Sequence, residues 1–311
     1  MNLAHAITRA FTRRLTRRAL TRRNVRYFLW RYVANGARTY RTAAMRASFD
    51  GTRAIVRELR TQGIISAPSD GFLSTGGRTA LEQARSEILT ASRSDGVQAA
   101  VAAGGSSGGK KDFVVNLVKF KHGVPANHPL LKVALDERLL EIVSSYLGFW
   151  PSLYSISAWI NFPVDAPAAK SQLWHRDPED LQTIKTFIYL VDVDEQCGPF
   201  SYIPRTHPFG ADAGADSALG DERRITDEAM QAVFAPERWK VCTGPANTMI
   251  MADTLGYHRG GRPTRGQRIL VTFTYTSGTP ITDPPITVEG MPSWASTKIQ
   301  QAAVKPLLQN P

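Results

Sequence analysis

At 311 residues the chain has room for one or two domains, and its 42% hydrophobic and 21% charged residues are those of an ordinary globular protein. The formal charge of +11 is not spread evenly: residues 1–60 hold fifteen Arg against Asp50 and Glu58, while the rest holds 23 basic and 25 acidic residues, which argues against a body built around a basic nucleic-acid cleft. The two cysteines, Cys197 and Cys242, exclude a disulfide framework and a Cys-based zinc finger. No apolar run reaches the ~18 residues of a membrane span.

Leu3, Ile7, Phe11 and Leu15 recur every four residues, arginine pairs stand at 13–14, 17–18 and 22–23, and Tyr27, Phe28 and Trp30 follow. Residues 1–35 are therefore predicted to form a basic amphipathic helix. Four readings of it compete: attachment to an anionic membrane surface, a targeting segment, a nucleic-acid arm, and a helix packed on its own domain with solvated arginines. The expected division is a basic extension over 1–45 and a main domain over 46–311.

Helices are predicted over 52–62 and 78–92, with a turn over 65–71 between them. The Gly/Ser-rich stretch 95–112 reads as a loop, 113–120 as a strand, and the apolar spacing from Leu130 to Val143 as one long helix capped by Asn127 and ended by Gly148. From about residue 150 short strands dominate. In 154–162 the odd positions Ser155, Ser157, Trp159 and Asn161 face one way, and Tyr154, Ile156, Ala158, Ile160 and Phe162 the other. Further strands are expected at 171–176, 184–193, 199–204, 238–242, 246–252 and 268–276, with long loops over 205–236 and 277–293. The fold class expected is mainly β with flanking helices: a double-stranded β-helix, jelly-roll or cupin-like, with its core at about 150–277.

The chemistry concentrates at His175, Asp177, His258 and Arg268. Residues i and i+2 of a strand point to one side, so His175 and Asp177 can face a cavity together. Two imidazoles and a carboxylate suit Fe(II) and leave coordination positions open. Arg268 opens the strand RILVTFTYT, where it shares a face with Leu270, Thr272 and Thr274 opposite an apolar face of Ile269, Val271, Phe273 and Tyr275. A guanidinium there can hold a carboxylate through two parallel hydrogen bonds.

Residues 172–210 (QLWHRDPEDLQTIKTFIYLVDVDEQCGPFSYIPRTHPFG) resemble the phytanoyl-CoA dioxygenase family. The shared pieces are His175-x-Asp177, the apolar strand after it, an acidic turn, Gly198-Pro199 and Ile203–His207, with His258 and Arg268 placed as that family places its distal ligand and its 2-oxoglutarate arginine. The resemblance covers roughly residues 50–280 and does not explain the basic N-terminus. It implies the cofactors Fe(II), 2-oxoglutarate and O2, with His175, Asp177 and His258 as metal ligands and Arg268 as anchor of the co-substrate. Gln172, Trp174 and Thr186 are expected beside the co-substrate, with Trp159, Asn161 and either Lys119 or Lys121 as further neighbours. His207 is expected to be structural. Halogenating relatives replace the ligand carboxylate with a small residue. Asp177 is a carboxylate, so hydroxylation is the reaction implied.

The expected function is oxidation of an unactivated C–H bond in a small-molecule or lipid-like substrate, releasing succinate and CO2. The alternatives are a non-catalytic jelly-roll binding protein and a nucleic-acid-directed oxygenase using the basic N-terminus. A cytoplasmic location is expected, with peripheral membrane attachment or organelle targeting through residues 1–35 as alternatives. Substrate identity and oligomeric state are not readable from the sequence.

Overall fold

The computed structural model describes residues 27–43, 51–104, 113–215, 219 and 222–308. Most of the predicted N-terminal helix lies outside them. Its end does not: a π-helical segment Leu29–Ala34 leads into α1 (Gly36–Ala43), followed by α2 (Thr52–Gln62), β1 (Ile64–Pro68), α3 (Thr75–Ser92) and α4 (Asp95–Ala102). Then come β2 (Val114–Asn116), α5 (Pro129–Ala134), α6 (Glu137–Leu147), β3 (Ser152–Asn161), β4 (Ile184–Tyr189) and β5 (Phe200–Tyr202). The chain closes with α7 (Asp227–Gln231), β6 (Lys240–Cys242), β7 (Thr248–Asp253), β8 (His258–Gly260), β9 (Arg268–Thr276) and α8 (Lys298–Val304). No described helix is long and apolar enough to cross a membrane.

The strands form two antiparallel sheets. The larger has the order β1-β7-β4-β9-β3-β2 and the smaller β6-β5-β8. From β3 onward the chain passes back and forth between them, with β5 and β6 consecutive in the small sheet. β3, β4, β7 and β9 lie in the large sheet; the 174–175 segment, β5, β6 and β8 lie in or against the small one, where His175 bridges His258. This alternation is the winding of a double-stranded β-helix, as the strand pattern predicts. Tyr189, Phe200, Tyr202, Cys242, Ile250 and Leu270 pack between the two sheets.

The outer face of the large sheet is covered by helices. Ile156, Ala158, Ile160, Ile184, Ile188, Val271, Phe273 and Tyr275 meet Leu130, Leu131, Leu139, Leu140, Ile142, Val143 and Leu147 from α5 and α6. Burial of that apolar area is the main term holding the helices to the sheet. Gly148 ends α6 with φ +71°, a left-handed C-terminal position that favours glycine.

Several sequence expectations need correction. Residues 95–102 are helical rather than loop, because Ala99, Ala100 and Ala102 are strong helix formers and the glycine cluster starts only at Gly104. Ile64–Pro68 is an edge strand paired with β7, not a turn, and Pro68 closes it where no partner needs its missing N–H. The predicted long helix is two. His128, not Asn127, caps α5, its Nδ1 accepting from Leu130 N ahead of Pro129, and Asp136 caps α6 by accepting from Leu139 N. The 113–120 strand shrinks to Val114–Asn116. In 171–176 only Trp174 and His175 make bridges, after a 3-10 turn. The loop 205–236 contains α7, and α8 follows 277–293.

Residues 27–43 are tied into the body. Trp30 is 2% exposed and meets Phe149 edge-on with ring centroids 5.4 Å apart. Arg31 donates to Leu147 O and Gly148 O, Asn35 Nδ2 to Thr279 Oγ1, and Arg38 to Trp150 O and Pro151 O. Trp30→Ala is expected to cost about 3–5 kcal/mol, read as a lower denaturant midpoint. An unchanged midpoint would mean that this segment is only an appendage.

Candidate metal centre

His175 and His258 are neighbours on facing backbone: each N–H donates to the other's carbonyl at 3.0 Å, and their rings lie 4.3 Å apart. His175 Nδ1 lies 2.8 Å from Leu173 O and His258 Nδ1 3.0 Å from Gly256 O. A carbonyl only accepts, so both Nδ1 atoms carry the proton and both Nε2 lone pairs are free to ligate. Asp177 Oδ1 is 3.7 Å from His175 Nε2, and Asp177 Oδ2 is 3.3 Å from His258 Nε2. One ligand atom from each of the three residues falls within 4.8 Å of the others. Burial pushes the His175 pKa down to about 3, so the ring is neutral at physiological pH, as ligation requires.

The strand turn before His258 is pinned from below. Asp253 is buried, accepts from Tyr146 Oη at 2.7 Å and from Leu255 N at 3.1 Å, and its carbonyl takes Tyr202 Oη at 2.9 Å. Asp177 is held on its other side, where its N–H donates to Thr254 O at 2.9 Å. The three candidate ligands thus come from two segments clamped to each other. Phe200 stacks on His258 with centroids 5.6 Å apart and closes that flank.

The site opens into a cavity of about 350 Å³. Its floor is the inner face of the large sheet: Ser155, Ser157, Trp159 and Asn161 of β3, Lys185 and Phe187 of β4, and Arg268, Leu270, Thr272 and Thr274 of β9. These are the polar faces that alternation assigns to β3 and β9. The register pairs Asn161 with Arg268 at one end and Ser155 with Thr274 near the other.

Arg268 is 4% exposed, and its Nη2 makes a long 3.4 Å contact with Asn161 Oδ1. Its Nε and Nη1 have no hydrogen-bond partner among the described residues. A buried guanidinium with two orphaned donors is costly unless an anion completes it. A carboxylate could accept from either of these atoms together with the adjacent Nη2, in a two-point bond. Gly260 makes room for the fork, since a Cβ there would come within 2.9 Å of Arg268 Nη2. The donor sets therefore fit a divalent metal at one end of the cavity and a carboxylate at the other.

Lys185 is a cavity-lining residue that the sequence reading missed. Its Nζ lies 2.7 Å from Asp177 Oδ2 and 2.7 Å from Glu179 Oε1. Burial disfavours its charge, but the two carboxylates outweigh burial and raise its pKa. Burial likewise opposes the charge on Asp177; Lys185, His258 and His175 overcome it and hold the carboxyl well below the usual range. The signal was alternation itself, since Lys185 and Phe187 occupy cavity-facing positions of a strand whose other face is apolar.

Most of the remaining expected neighbours lie elsewhere. Thr186 alternates with Ile184 and Ile188 on the helix side of the sheet. Trp174 faces away from the cavity, edge-on to Trp239 at 4.9 Å, with its Nε1 donating to Asp227 Oδ1 at 2.8 Å. Gln172 is buried, its Oε1 accepting from Ala169 N at 3.1 Å, while Ser171 beside it lines the cavity. Lys119 and Lys121 are exposed and do not line it. Trp159 and Asn161 do line it. His207 is buried with Nε2 3.1 Å from Arg60 O, a structural position.

Lys185→Met removes the cation shared by the half-buried Asp177 and Glu179 carboxylates and is expected to cost about 1.5–3 kcal/mol of stability. Equilibrium denaturation measures this; a cost below about 1 kcal/mol would show that the pair is effectively solvated.

No family model matches the chain, and no curated protein sequence matches it. Solved structures do match. The non-haem α-ketoglutarate-dependent epimerase SnoN from nogalamycin biosynthesis is 14% identical, with a TM-score of 0.47 over 74% of this chain and 84% of its own. EctD from S. alaskensis with bound Fe is 15% identical, with a TM-score of 0.48 over 78% and 83%. HygX from Streptomyces hygroscopicus, bound to nickel, 2-oxoglutarate and hygromycin B, is 15% identical, with a TM-score of 0.43 over 72% and 87%. Likeness at this level carries no functional inference, and the assignment below rests on the cavity's own residues.

Proposed function

We propose that this protein is an Fe(II)- and 2-oxoglutarate-dependent oxygenase that hydroxylates a C–H bond of a small molecule, in the manner of the phytanoyl-CoA dioxygenase family that residues 172–210 resemble. The observation that carries the reading is one cavity with two complementary ends: the free Nε2 atoms of His175 and His258 beside the Asp177 carboxylate, and the buried, half-satisfied guanidinium of Arg268. A dicarboxylate with a 2-oxo group has the two matching ends.

In this reading His175, Asp177 and His258 would be the residues that hold Fe(II). Arg268 holds the far carboxylate of 2-oxoglutarate by a two-point hydrogen bond, with Asn161 orienting the fork. Bound Fe(II) supplies O2 activation, coupled to decarboxylation of 2-oxoglutarate to succinate, and so the oxidation of the substrate C–H bond. Phe187, Phe200, Leu270 and Trp159 line the cavity and limit water around the reacting centre. Lys185 keeps the Asp177 carboxylate charged and fixed in orientation. The presence of that carboxylate favours oxygen transfer over halogenation.

Succinate formed from 2-oxoglutarate with Fe(II) and ascorbate, in the presence of a panel of small substrates, tests the proposal. Asp177→Ala is expected to remove turnover. Arg268→Ala is expected to raise the KM for 2-oxoglutarate about 10- to 100-fold, the loss of a charge-assisted hydrogen-bond pair. Succinate formation equal to wild type in both variants would refute it.

A further inference from the structure

Resting on the oxygenase assignment above, we propose that Glu179 binds the substrate, and that the molecule oxidised is a small polar one whose hydroxyl or amine donates to that carboxylate, not a lipid-like chain. Glu179 lines the cavity and is not one of the three candidate metal ligands. Its Oε1 is held by Lys185 Nζ at 2.7 Å, and the same ammonium lies 2.7 Å from Asp177 Oδ2. Its Oε2 is buried and has no hydrogen-bond partner among the described residues. A carboxylate has about four lone-pair sites, so one ammonium leaves most of them unused. A buried acceptor in that state is costly unless a donor completes it.

Glu179 is fixed at backbone level. Ile281 N donates to Glu179 O at 2.8 Å, and Tyr154 Oη donates to Asp283 O at 3.0 Å, so the 277–293 loop joins Glu179 to β3. The cavity floor on this side is hydroxylic. Away from Arg268, the β3–β9 register runs Asn161 with Arg268, Trp159 with Leu270, Ser157 with Thr272 and Ser155 with Thr274. On β4, Phe187 stands beside Thr272 and Lys185 beside Thr274. A carboxylate on Arg268 takes the Asn161 end, which leaves the hydroxyl rows and Glu179 to the molecule oxidised. An alkyl chain there would desolvate the hydroxyls and the carboxylate and return no hydrogen bond. An alcohol or amine donates to Glu179 and can pair with the hydroxyls, while Phe187 and Phe200 cover its carbon skeleton. Lys185 links Glu179 to Asp177, so a donor held by Glu179 brings its own carbon toward the metal ligands.

The test uses the full-length protein with Mn(II) and 2-oxoglutarate in the absence of O2. Bound Mn(II) speeds the proton relaxation of a small molecule held beside it, which reads binding without turnover. The probes are cyclohexanol, cyclohexylamine and methoxycyclohexane, the last with the same ring and no donor. Cyclohexanol or cyclohexylamine is expected to bind at least about tenfold more tightly than methoxycyclohexane, and the stronger of the two tells alcohol from amine. Glu179→Met, and independently Glu179→Ala, should remove that preference. A carboxylate that only positions Lys185 would lower the denaturation midpoint of both variants and leave the preference intact. Equal response to the three probes in the wild-type protein, whether strong or absent, overturns the inference, as does a preference that survives both substitutions. Failure of Mn(II) and 2-oxoglutarate to bind together, followed by calorimetry on the same samples, instead overturns the oxygenase assignment and this inference with it.

Discussion

The whole site turns on one unfavourable group, the buried Arg268 guanidinium with its Nε and Nη1 unpaired. A buried cation in that state is costly unless an external anion completes it. Its fork opens toward the cavity that also holds His175, Asp177 and His258. An anion completing it would share its space with whatever those three residues bind. A metal chelated by one end of a molecule whose other end is a carboxylate answers both demands at once.

The β-helix supplies this geometry through the pleat. On β3, β4 and β9, alternate residues go to the helix layer and to the cavity, so each strand contributes an apolar column outward and a polar column inward. The facing sheet contributes the ligands, where the His175–His258 backbone pair brings two imidazoles together. Both rings are turned by backbone carbonyls so that Nε2 points free. Lys185 crosses from the floor to the Asp177 carboxylate, which ties the two sheets together electrostatically at the site.

Much of this was legible in the residues, and the misses have physical causes. Alternation identified the cavity faces of β3 and β9 because their opposite faces are continuously apolar, which sets the register. The same rule applied to β4 would have selected Lys185 and Phe187. Thr186, expected beside the site because it flanks the His175-x-Asp177 motif, sits among isoleucines on the helix side. Lys185 was overlooked because a lysine is expected in solvent, and only the tertiary approach of Asp177 and Glu179 makes its burial tolerable. Trp174 and Gln172 are near His175 in sequence, but Trp174, adjacent on the extended segment, points to the opposite side, and Gln172 ends a 3-10 turn. The β1 edge strand and the break between α5 and α6 depend on pairing with β7 and on two separate caps, which local composition hides.

The central claim is that the three-residue cluster and Arg268 act on one molecule. Calorimetric titration under anaerobic conditions tests it most directly, comparing 2-oxoglutarate with 2-oxobutyrate, which lacks the distal carboxylate, each with and without Mn(II). Tight binding is expected only for 2-oxoglutarate with metal present, with removal of either the metal or the distal carboxylate weakening it at least about tenfold. Binding of 2-oxoglutarate that ignores the metal, or equal binding of 2-oxobutyrate, would contradict the account.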